Sequence, residues 1–327
     1  MTRRAGLAGH GGARVVALGG GHGLAATLQA LRRLTGEITA IVGVSDDGGS
    51  SGRLRADFGT LPPGDLRMAL AALCGDDTWG RTWEKVIQHR FSGSGPLAGH
   101  ALGNLLITAL WEETADPVVG LAWVGALLQA QGTVLPCSTV PLEIIAEVQG
   151  VDPAAPDAVE IVRGQVAVAT TPGDILAVRL EPADPPACLP AIEALAEAEL
   201  VVLGPGSWFT SVMPHLLIPD LAHAIRNSPA TRVVVLNLDP DQDSETERVP
   251  PSRQLTLLRD HDPTLRIDAV IADPRHVGQA NTAVPLERVA AELGARLVVS
   301  PVGYPDGRRP GVHDPARLAV ALGALLP

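Results

Sequence analysis

The sequence predicts an α/β fold: a Rossmann-like, doubly wound and mostly parallel sheet with a helical insertion and a small antiparallel β patch. Three observations support this class. Short β-branched runs alternate with segments of helical period in both halves of the 327-residue chain. Glycine-rich turns follow several of those runs, and residues 63–132 are helical in period throughout. We therefore expect a single domain over residues 1–327 that contains the insertion.

The first unit is a strand, a turn, a helix and a second strand. Residues 14–18 read RVVAL, residues 24–34 carry leucines at helical spacing, and residues 38–44 read ITAIVGV. Such a unit implies parallel pairing with a right-handed crossover. The insertion follows and is expected over the carboxyl ends of these strands. Residues 144–181 then alternate polar with apolar side chains, which predicts the antiparallel patch.

The second half alternates more regularly. We expect strands at 200–204, 232–238, 267–273 and 296–301, separated by helices at 190–198, 210–227, 251–261 and 286–293, with a last helix from Pro315. These four strands extend the first unit into a doubly wound sheet. Ligands of such sheets bind outside the carboxyl ends of the strands, so each loop after a strand is a candidate site.

Composition excludes several classes of function. A formal net charge of −11 and a pI of about 5.2 argue against a nucleic-acid partner, which needs a basic face. The cysteines match no zinc or CxxC spacing and are expected in the core of a protein from a reducing compartment; they are Cys74, Cys137 and Cys188. The chain shows no signal peptide and no apolar stretch long enough to span a membrane, so we expect a cytoplasmic protein.

The first candidate loop is GGGHG, at the junction of the first strand and helix. Its residues are Gly19, Gly20, Gly21, His22 and Gly23. Free backbone N–H groups at a helix start favour an anion. The loop matches neither the Walker A motif nor a strict GxGxxG motif, and a tight turn is the simpler alternative.

The second candidate is GVSDDGGSSGRLR at 43–55, after the second strand. Asp46 lies where nucleotide-binding units place an acid on the ribose, and Asp47 could face phosphates through Mg²⁺ or hold Arg53 or Arg55. Ser50 and Ser51 lie in a GGSSG loop that also fits the GxSxG nucleophile elbow. We disfavour the elbow because two acids precede a loop too rich in glycine to hold a strained serine.

Further candidates lie in later loops and at helix starts. Gly206 and Ser207 belong to LGPGSWFTS, and Asn237 follows another strand. In the insertion, Arg67 lies in the first turn after PPGD and Asn104 lies at a helix entrance. Simple capping explains much of this pattern, including Asp65 as an N-cap.

No single one of these loops could bind a nucleotide with micromolar affinity, so the loops must share one site. A helix end contributes about 0.3 to 1 kcal/mol toward an anion and a charged hydrogen bond about 1.5 to 3. Micromolar affinity needs about 8 kcal/mol. We therefore expect the loops to converge.

Five segments of the sequence together resemble a known family. The segments ALGGGHGL, ITAIVGVSDDGGSSGRLR, PPGDLRMAL, GHALGNLLITAL and GPGSWFTS occur in the order seen in gluconeogenesis-factor (YvcK-like) proteins, a branch of the CofD-like superfamily. The resemblance implies a cytoplasmic bacterial protein with a Rossmann-like core. It also implies binding of UDP-sugars, notably UDP-N-acetylglucosamine, and a role in cell shape and peptidoglycan supply on gluconeogenic carbon.

The resemblance also implies which residues hold the ligand. The glycine loop, Asp46, Asn104 and the Gly206–Ser207 turn would hold the nucleotide and diphosphate. No cofactor is implied, although Mg²⁺ could accompany the nucleotide, and a homo-oligomer and a regulated protein partner stay open.

The chain departs from the family pattern at two places. His22 stands where many members have threonine. Residues 312–315 read VHDP, where an Arg-His-Asp pattern and a following hydroxyl residue are expected. A ligand-contacting arginine and a phosphorylatable threonine are thereby lost, unless Arg308 or Arg309 substitutes for the arginine.

Two enzyme classes compete with a binding protein. The sister branch, 2-phospho-L-lactate transferase, also uses a glycine-rich loop and an Asp pair, and a Mg²⁺ site at Asp46 and Asp47 would suit phosphoryl or nucleotidyl transfer. The GGSSGRLR and PPGDLR blocks favour the binder. An NAD-dependent oxidoreductase would need an acid and a base beside a nicotinamide, and no such pair is evident.

Overall fold

The centre of the protein is a seven-stranded parallel sheet. A computed structural model describes residues 12–238, 249–277, 285–305, 309 and 311–327. The sheet strands are β1 (Val15–Gly19), β2 (Ile38–Val42), β3 (Thr133–Pro136), β7 (Leu200–Leu203), β8 (Thr231–Val235), β9 (Ala269–Ala272) and β10 (Arg296–Val299). Their order is β10-β9-β8-β7-β1-β2-β3.

This order creates a topological switch point between β1 and β7. From β1 the chain proceeds through β2 to β3 on one side, and from β7 through β8 and β9 to β10 on the other. In doubly wound sheets, ligands ordinarily bind in the crevice outside the carboxyl ends of the strands at such a switch point. The predicted doubly wound α/β sheet is confirmed, and its topology places two of the candidate loops at this crevice.

Helices cover both faces of the sheet, and every residue of β1 is buried. The helices are α1 (Gly21–Leu31), α2 (Gly49–Phe58), α3 (Gly64–Ala72), α4 (Thr78–Gln88), α5 (Leu102–Thr114), α6 (Pro117–Leu128), α7 (Gln165–Thr170), α8 (Leu189–Glu197), α9 (Met213–Leu216), α10 (Pro219–Asn227), α11 (Pro251–His261), α12 (Leu286–Glu292) and α13 (Pro315–Gly323). A π-helical turn, Trp208–Val212, precedes α9, and a 3-10 turn, Pro274–His276, follows β9.

The helical insertion is the crossover between β2 and β3. Its α3 packs against α1, β2 and β3, and its α6 packs against α5 and β3. Local sequence explains the helix boundaries: Asp116 accepts the N–H groups of Val118 and Val119 at the start of α6, with Pro117 in the first turn. Of the residues that the structure describes, none belongs to a helix long and apolar enough to cross a membrane.

A second, antiparallel sheet confirms the predicted β patch. Its strands are β4 (Glu143–Gln149), β5 (Val159–Arg163) and β6 (Asp174–Glu181), in the order β5-β4-β6. The segment QVAVAT, read from sequence as part of a strand, forms α7 instead. The three cysteines are buried and unpaired, as the sequence predicts.

The sequence prediction missed three other features. Residues 133–136 form the edge strand β3, which a short run ending in proline did not reveal. The GGSSGRLR segment, expected as a loop, forms α2 from Gly49 onward. The helix expected over 210–227 is divided into the π-helical turn, α9 and α10, and Pro219 begins the last of these pieces.

Candidate functional site

The glycine turn after β1 leads directly into α1 and is sterically constrained. Gly21 has φ +56°, a left-handed value that favours glycine. An added Cβ at Gly20 would lie 2.5 Å from Asp65 Oδ2, and one at Gly23 would lie 2.2 Å from the carbonyl oxygen of Pro205. Two neighbouring segments therefore press against this turn. His22 is exposed beside it.

The loop after β7 forms the opposite wall of the switch point. Asn237 fixes it by accepting the Gly206 N–H at 2.9 Å and donating to the Gly206 carbonyl at 2.8 Å. Ser211 Oγ lies 3.5 Å from the position of a Cβ on Gly20, which brings this loop to the glycine turn. Ser207 is the residue immediately before the π-helical turn, and its side chain makes no capping hydrogen bond.

Two carboxylates lie beside the glycine turn. Asp65 accepts the N–H of Gly21, so the Asp65 side chain contacts α1. The sequence-based prediction that Asp65 caps α3 is therefore wrong. Asp46 Oδ1 accepts the Gly48 N–H at 3.0 Å, and its Oδ2 would lie 2.7 Å from a Cβ on Gly64. Burial, followed by the nearby Asp46 carboxylate, raises the pKa of Asp65 to about 7.

The neighbouring acid, Asp47, lies elsewhere. Its Oδ1 accepts the N–H of Val166 at 2.9 Å, and its Oδ2 would lie 2.2 Å from a Cβ on Gly164, so it contacts the start of α7. Asp47 is also exposed. Asp46 and Asp47 therefore do not form the pair that the sequence suggested, because Asp65 supplies the second carboxylate.

A buried polar network borders the acids. Arg67 Nε donates to Asn104 Oδ1 at 2.8 Å, and Asn104 Nδ2 donates to Ser50 Oγ at 3.0 Å. Ser50 Oγ lies 2.9 Å from His100 Nδ1. Ser50 does not have the strained backbone of a nucleophile elbow, since Ala115 and Gln129 are the positive-φ residues other than glycine in the described ranges.

Arg67 is a buried cation that interacts electrostatically with Asp65 and Asp46. Arg67 is only 4% exposed. Burial and, to a smaller extent, the positive charge of Arg90 lower the pKa of Arg67, Asp65 and Asp46 raise it, and the net pKa is about 10. The guanidinium is nevertheless charged at neutral pH. Within the described residues its Nη groups donate to no protein acceptor, so they are available to an anion.

The remaining candidates have structural contacts. Ser51 Oγ accepts the Gly64 N–H at 3.0 Å and so joins the starts of α2 and α3. Arg53 is exposed and donates to the Ala98 carbonyl at 2.7 Å, whereas Asp47, which the sequence suggested could hold it, accepts the N–H of Val166 instead. Arg309 lies over the Tyr304 ring at 5.3 Å. Arg308 lies outside the described residues.

The acid pair gives a testable pH dependence. The pKa of Asp65 rises from 3.8 to about 7 on folding, so its protonated form stabilises the fold below pH 3.8 and that contribution is lost as the pH rises through 7. Asp65→Asn should therefore raise the free energy of unfolding at pH 8 by about 1 to 2 kcal/mol, allowing for partial exposure. Chemical denaturation at pH 4 and pH 8 measures this.

The control for this variant is Asp184→Asn, at an exposed position in the loop before α8. It should leave the free energy of unfolding unchanged at both pH values. An Asp65→Asn protein that is no more stable at pH 8 than the wild type would contradict the proposed environment of Asp65.

Together, the fold and the crevice define a Rossmann-like α/β protein whose glycine turn, acid pair and buried arginine meet at the topological switch point. A family model described as 2-phospho-L-lactate transferase CofD matches residues 15–295. The chain belongs to this CofD family.

Named relatives lie in the same family. A Mycobacterium tuberculosis protein named as a candidate gluconeogenesis factor is 50% identical to this chain over 310 residues. The match covers 94% of this chain and 89% of that protein. The gluconeogenesis factor of Halalkalibacterium halodurans is 38% identical over 247 residues, or 76% of this chain and 73% of that protein.

A solved structure confirms the architecture. The crystal structure of a UPF0052 family member from Bacillus halodurans superposes with a TM-score of 0.82 at 30% identity. The superposition covers 96% of this chain and 99% of that one. The similarity therefore extends over the switch-point crevice as well as the sheet.

Proposed function

We propose that this protein binds a nucleoside diphosphate sugar of the UDP-N-acetylglucosamine type, as a regulatory protein of the gluconeogenesis-factor kind. The observation that carries the proposal is the meeting of the α1 N-terminus, the Asp46 and Asp65 carboxylates and the buried Arg67 at one crevice. A diphosphate matches this set because it carries several anionic oxygens near a sugar and a ribose.

The proposed contacts follow from the donors at the crevice. The first-turn N–H groups of α1 other than that of Gly21, which Asp65 accepts, and the free Nη groups of Arg67 would hold the phosphates. The loop that Asn237 fixes would form the opposite wall. Several such contacts are needed, because each charged hydrogen bond contributes about 1.5 to 3 kcal/mol and micromolar binding needs about 8.

Mg²⁺ fits the acid pair as a companion of the diphosphate. Among the described residues no group of three or more acids, histidines or cysteines gathers to hold a metal ion by itself. Mg²⁺ in nucleotide sites is commonly held by one or two carboxylates together with phosphate oxygens and water. Asp46 and Asp65 would supply the carboxylates, and the cation would offset the effects of burial and of the Asp46 charge, which together raise the pKa of Asp65.

The cellular role proposed for the protein follows its relatives. Names of relatives refer to gluconeogenesis, and the motif resemblance adds control of cell shape and of peptidoglycan precursor supply in the cytoplasm. A nucleotide sugar that feeds wall synthesis is a suitable signal for such control.

Calorimetry with UDP-N-acetylglucosamine and Mg²⁺ tests the proposal. We expect saturable binding without turnover of the ligand. Asp46→Ala should weaken binding at least about tenfold, or about 1.4 kcal/mol, whereas Asp184→Ala, at an exposed loop position, should leave it unchanged. An absence of heat at millimolar ligand with the wild type would refute the proposal.

A second candidate is a transferase of the 2-phospho-L-lactate type. The description of the matching family model and the acid pair favour it, since Mg²⁺ held by two carboxylates could neutralise charge during phosphoryl or nucleotidyl transfer. Mass spectrometry after incubation with a nucleotide-activated phospholactate, an acceptor and Mg²⁺ decides between the two. Product formation would favour the transferase, and no product beside a working control transferase would eliminate it.

A further inference from the structure

His100 lies at the end of a buried chain of hydrogen bonds that begins at Arg67. The chain runs from Arg67 Nε to Asn104 Oδ1 at 2.8 Å, from Asn104 Nδ2 to Ser50 Oγ at 3.0 Å, and from Ser50 Oγ to His100 Nδ1 at 2.9 Å. All four residues are at most 6% exposed. The chain joins α3, α5 and α2 to the segment that precedes α5.

The chemistry of these groups fixes the direction of every bond. A guanidinium can only donate, so Asn104 must turn its carbonyl oxygen to Arg67 and its amide nitrogen to Ser50. Ser50 Oγ accepts from that amide, and its own hydroxyl proton needs an acceptor. His100 Nδ1 is the acceptor within reach among the described residues. Nδ1 must therefore be unprotonated, and the ring carries its proton on Nε2.

The surroundings of His100 agree with a neutral ring. Burial lowers the pKa of His100 below its ordinary value, and Arg53 lowers it further. Asp57, also on α2, acts in the opposite sense. The neighbouring Arg90 donates to the Gly99 carbonyl at 2.9 Å and adds positive charge to the same segment.

We propose that His100 is a positioning residue of the ligand site. It is the final acceptor of a chain of hydrogen bonds, each with a fixed donor and acceptor, that holds the Arg67 guanidinium in place for the ligand. This inference rests on the proposed function. Without an acceptor at residue 100 the Ser50 proton is left unsatisfied and the Asn104 amide is free to turn over. A turned amide would place its NH₂ group against the guanidinium, so Arg67 would lose its fixed orientation.

The tautomer of His100 can be measured without any ligand. Imidazole ¹⁵N NMR of the free protein at pH 7 should show a protonated Nε2 and an unprotonated Nδ1 for His100, with the signals identified by their loss in His100→Asn. A proton on Nδ1 would reverse the last bond of the chain and overturn the inference, whether or not the protein binds a nucleotide sugar.

Binding of UDP-N-acetylglucosamine to two variants tests the effect on the site. His100→Ala should weaken binding by about five- to tenfold, whereas His100→Asn, whose amide oxygen can accept near the position of Nδ1, should stay within about twofold of the wild type. The matched control is His89→Ala, an exposed histidine that packs against Phe91. It should leave binding unchanged.

Two results of the binding experiment would overturn the inference. One is wild-type affinity in His100→Ala, and the other is equal weakening in the alanine and asparagine variants. Thermal unfolding of each variant shows whether it is folded. If the wild type itself does not bind, the proposed function fails, and the NMR measurement still decides whether the chain runs as inferred.

Discussion

Arg67→Ala is expected to weaken binding of UDP-N-acetylglucosamine by about 10- to 100-fold, the loss of one charged hydrogen bond of about 1.5 to 3 kcal/mol. The side chain is buried and its Nη groups are free of protein acceptors in the described residues. Removing it takes away a buried positive charge that interacts with Asp65 and Asp46. It also leaves Asn104 Oδ1 without its donor, so a moderate loss of stability should accompany the loss of affinity.

Two further variants separate these effects. Arg67→Lys keeps the positive charge and loses the forked geometry, so its affinity should fall between those of the wild type and Arg67→Ala. Arg33→Ala removes an exposed arginine beyond the far end of α1 and should bind normally. Calorimetry measures the affinities. Arg67→Ala with wild-type affinity would exclude the guanidinium from the site.

Gly23→Ala is expected to lower the free energy of unfolding by about 3 kcal/mol, the upper part of the usual range for overpacking. The new Cβ would lie 2.2 Å from the Pro205 carbonyl oxygen and 3.0 Å from Gly206 Cα. Both neighbours are backbone, so the loops that leave β1 and β7 would have to separate. Binding should weaken as well, because the two walls of the crevice move apart.

The matched control for Gly23→Ala is Gly36→Ala. A Cβ at Gly36 would meet no atom within 4 Å. The same substitution should therefore cost little stability there. Guanidinium denaturation of both variants gives the comparison. Equal stability of the two proteins would contradict the close contact of the β1 and β7 loops.

Much of the fold could be predicted from the sequence because the spacing of hydrophobic residues distinguishes strands from helices. The β-branched runs of β1, β2, β7, β8 and β9 stand out between helices of clear period, and the parallel sheet follows from them. The spacing of hydrophobic residues did not reveal elements that are short or rich in glycine. β3 has four residues and ends in proline, and α2 begins with glycines and serines that ordinarily favour a loop.

The candidate site was only partly predictable. Loops after strands were identified because their position in a doubly wound sheet is general. Asp65 was assigned to a cap, since its contact with Gly21 depends on how α3 packs against α1. His100 was missed because a single histidine has no sequence pattern. Its one local signal was the GHALGNLL block, which also carries Asn104.

A crystal structure grown with UDP-N-acetylglucosamine and Mg²⁺ tests the central claim most directly, that the crevice between β1 and β7 is a diphosphate site. We expect the diphosphate at the N-terminus of α1, within hydrogen-bond distance of the Arg67 Nη groups, with the cation between it and the carboxylates of Asp46 and Asp65. A diphosphate bound away from Gly21 and Arg67, in a protein whose fold is otherwise unchanged, would contradict the claim.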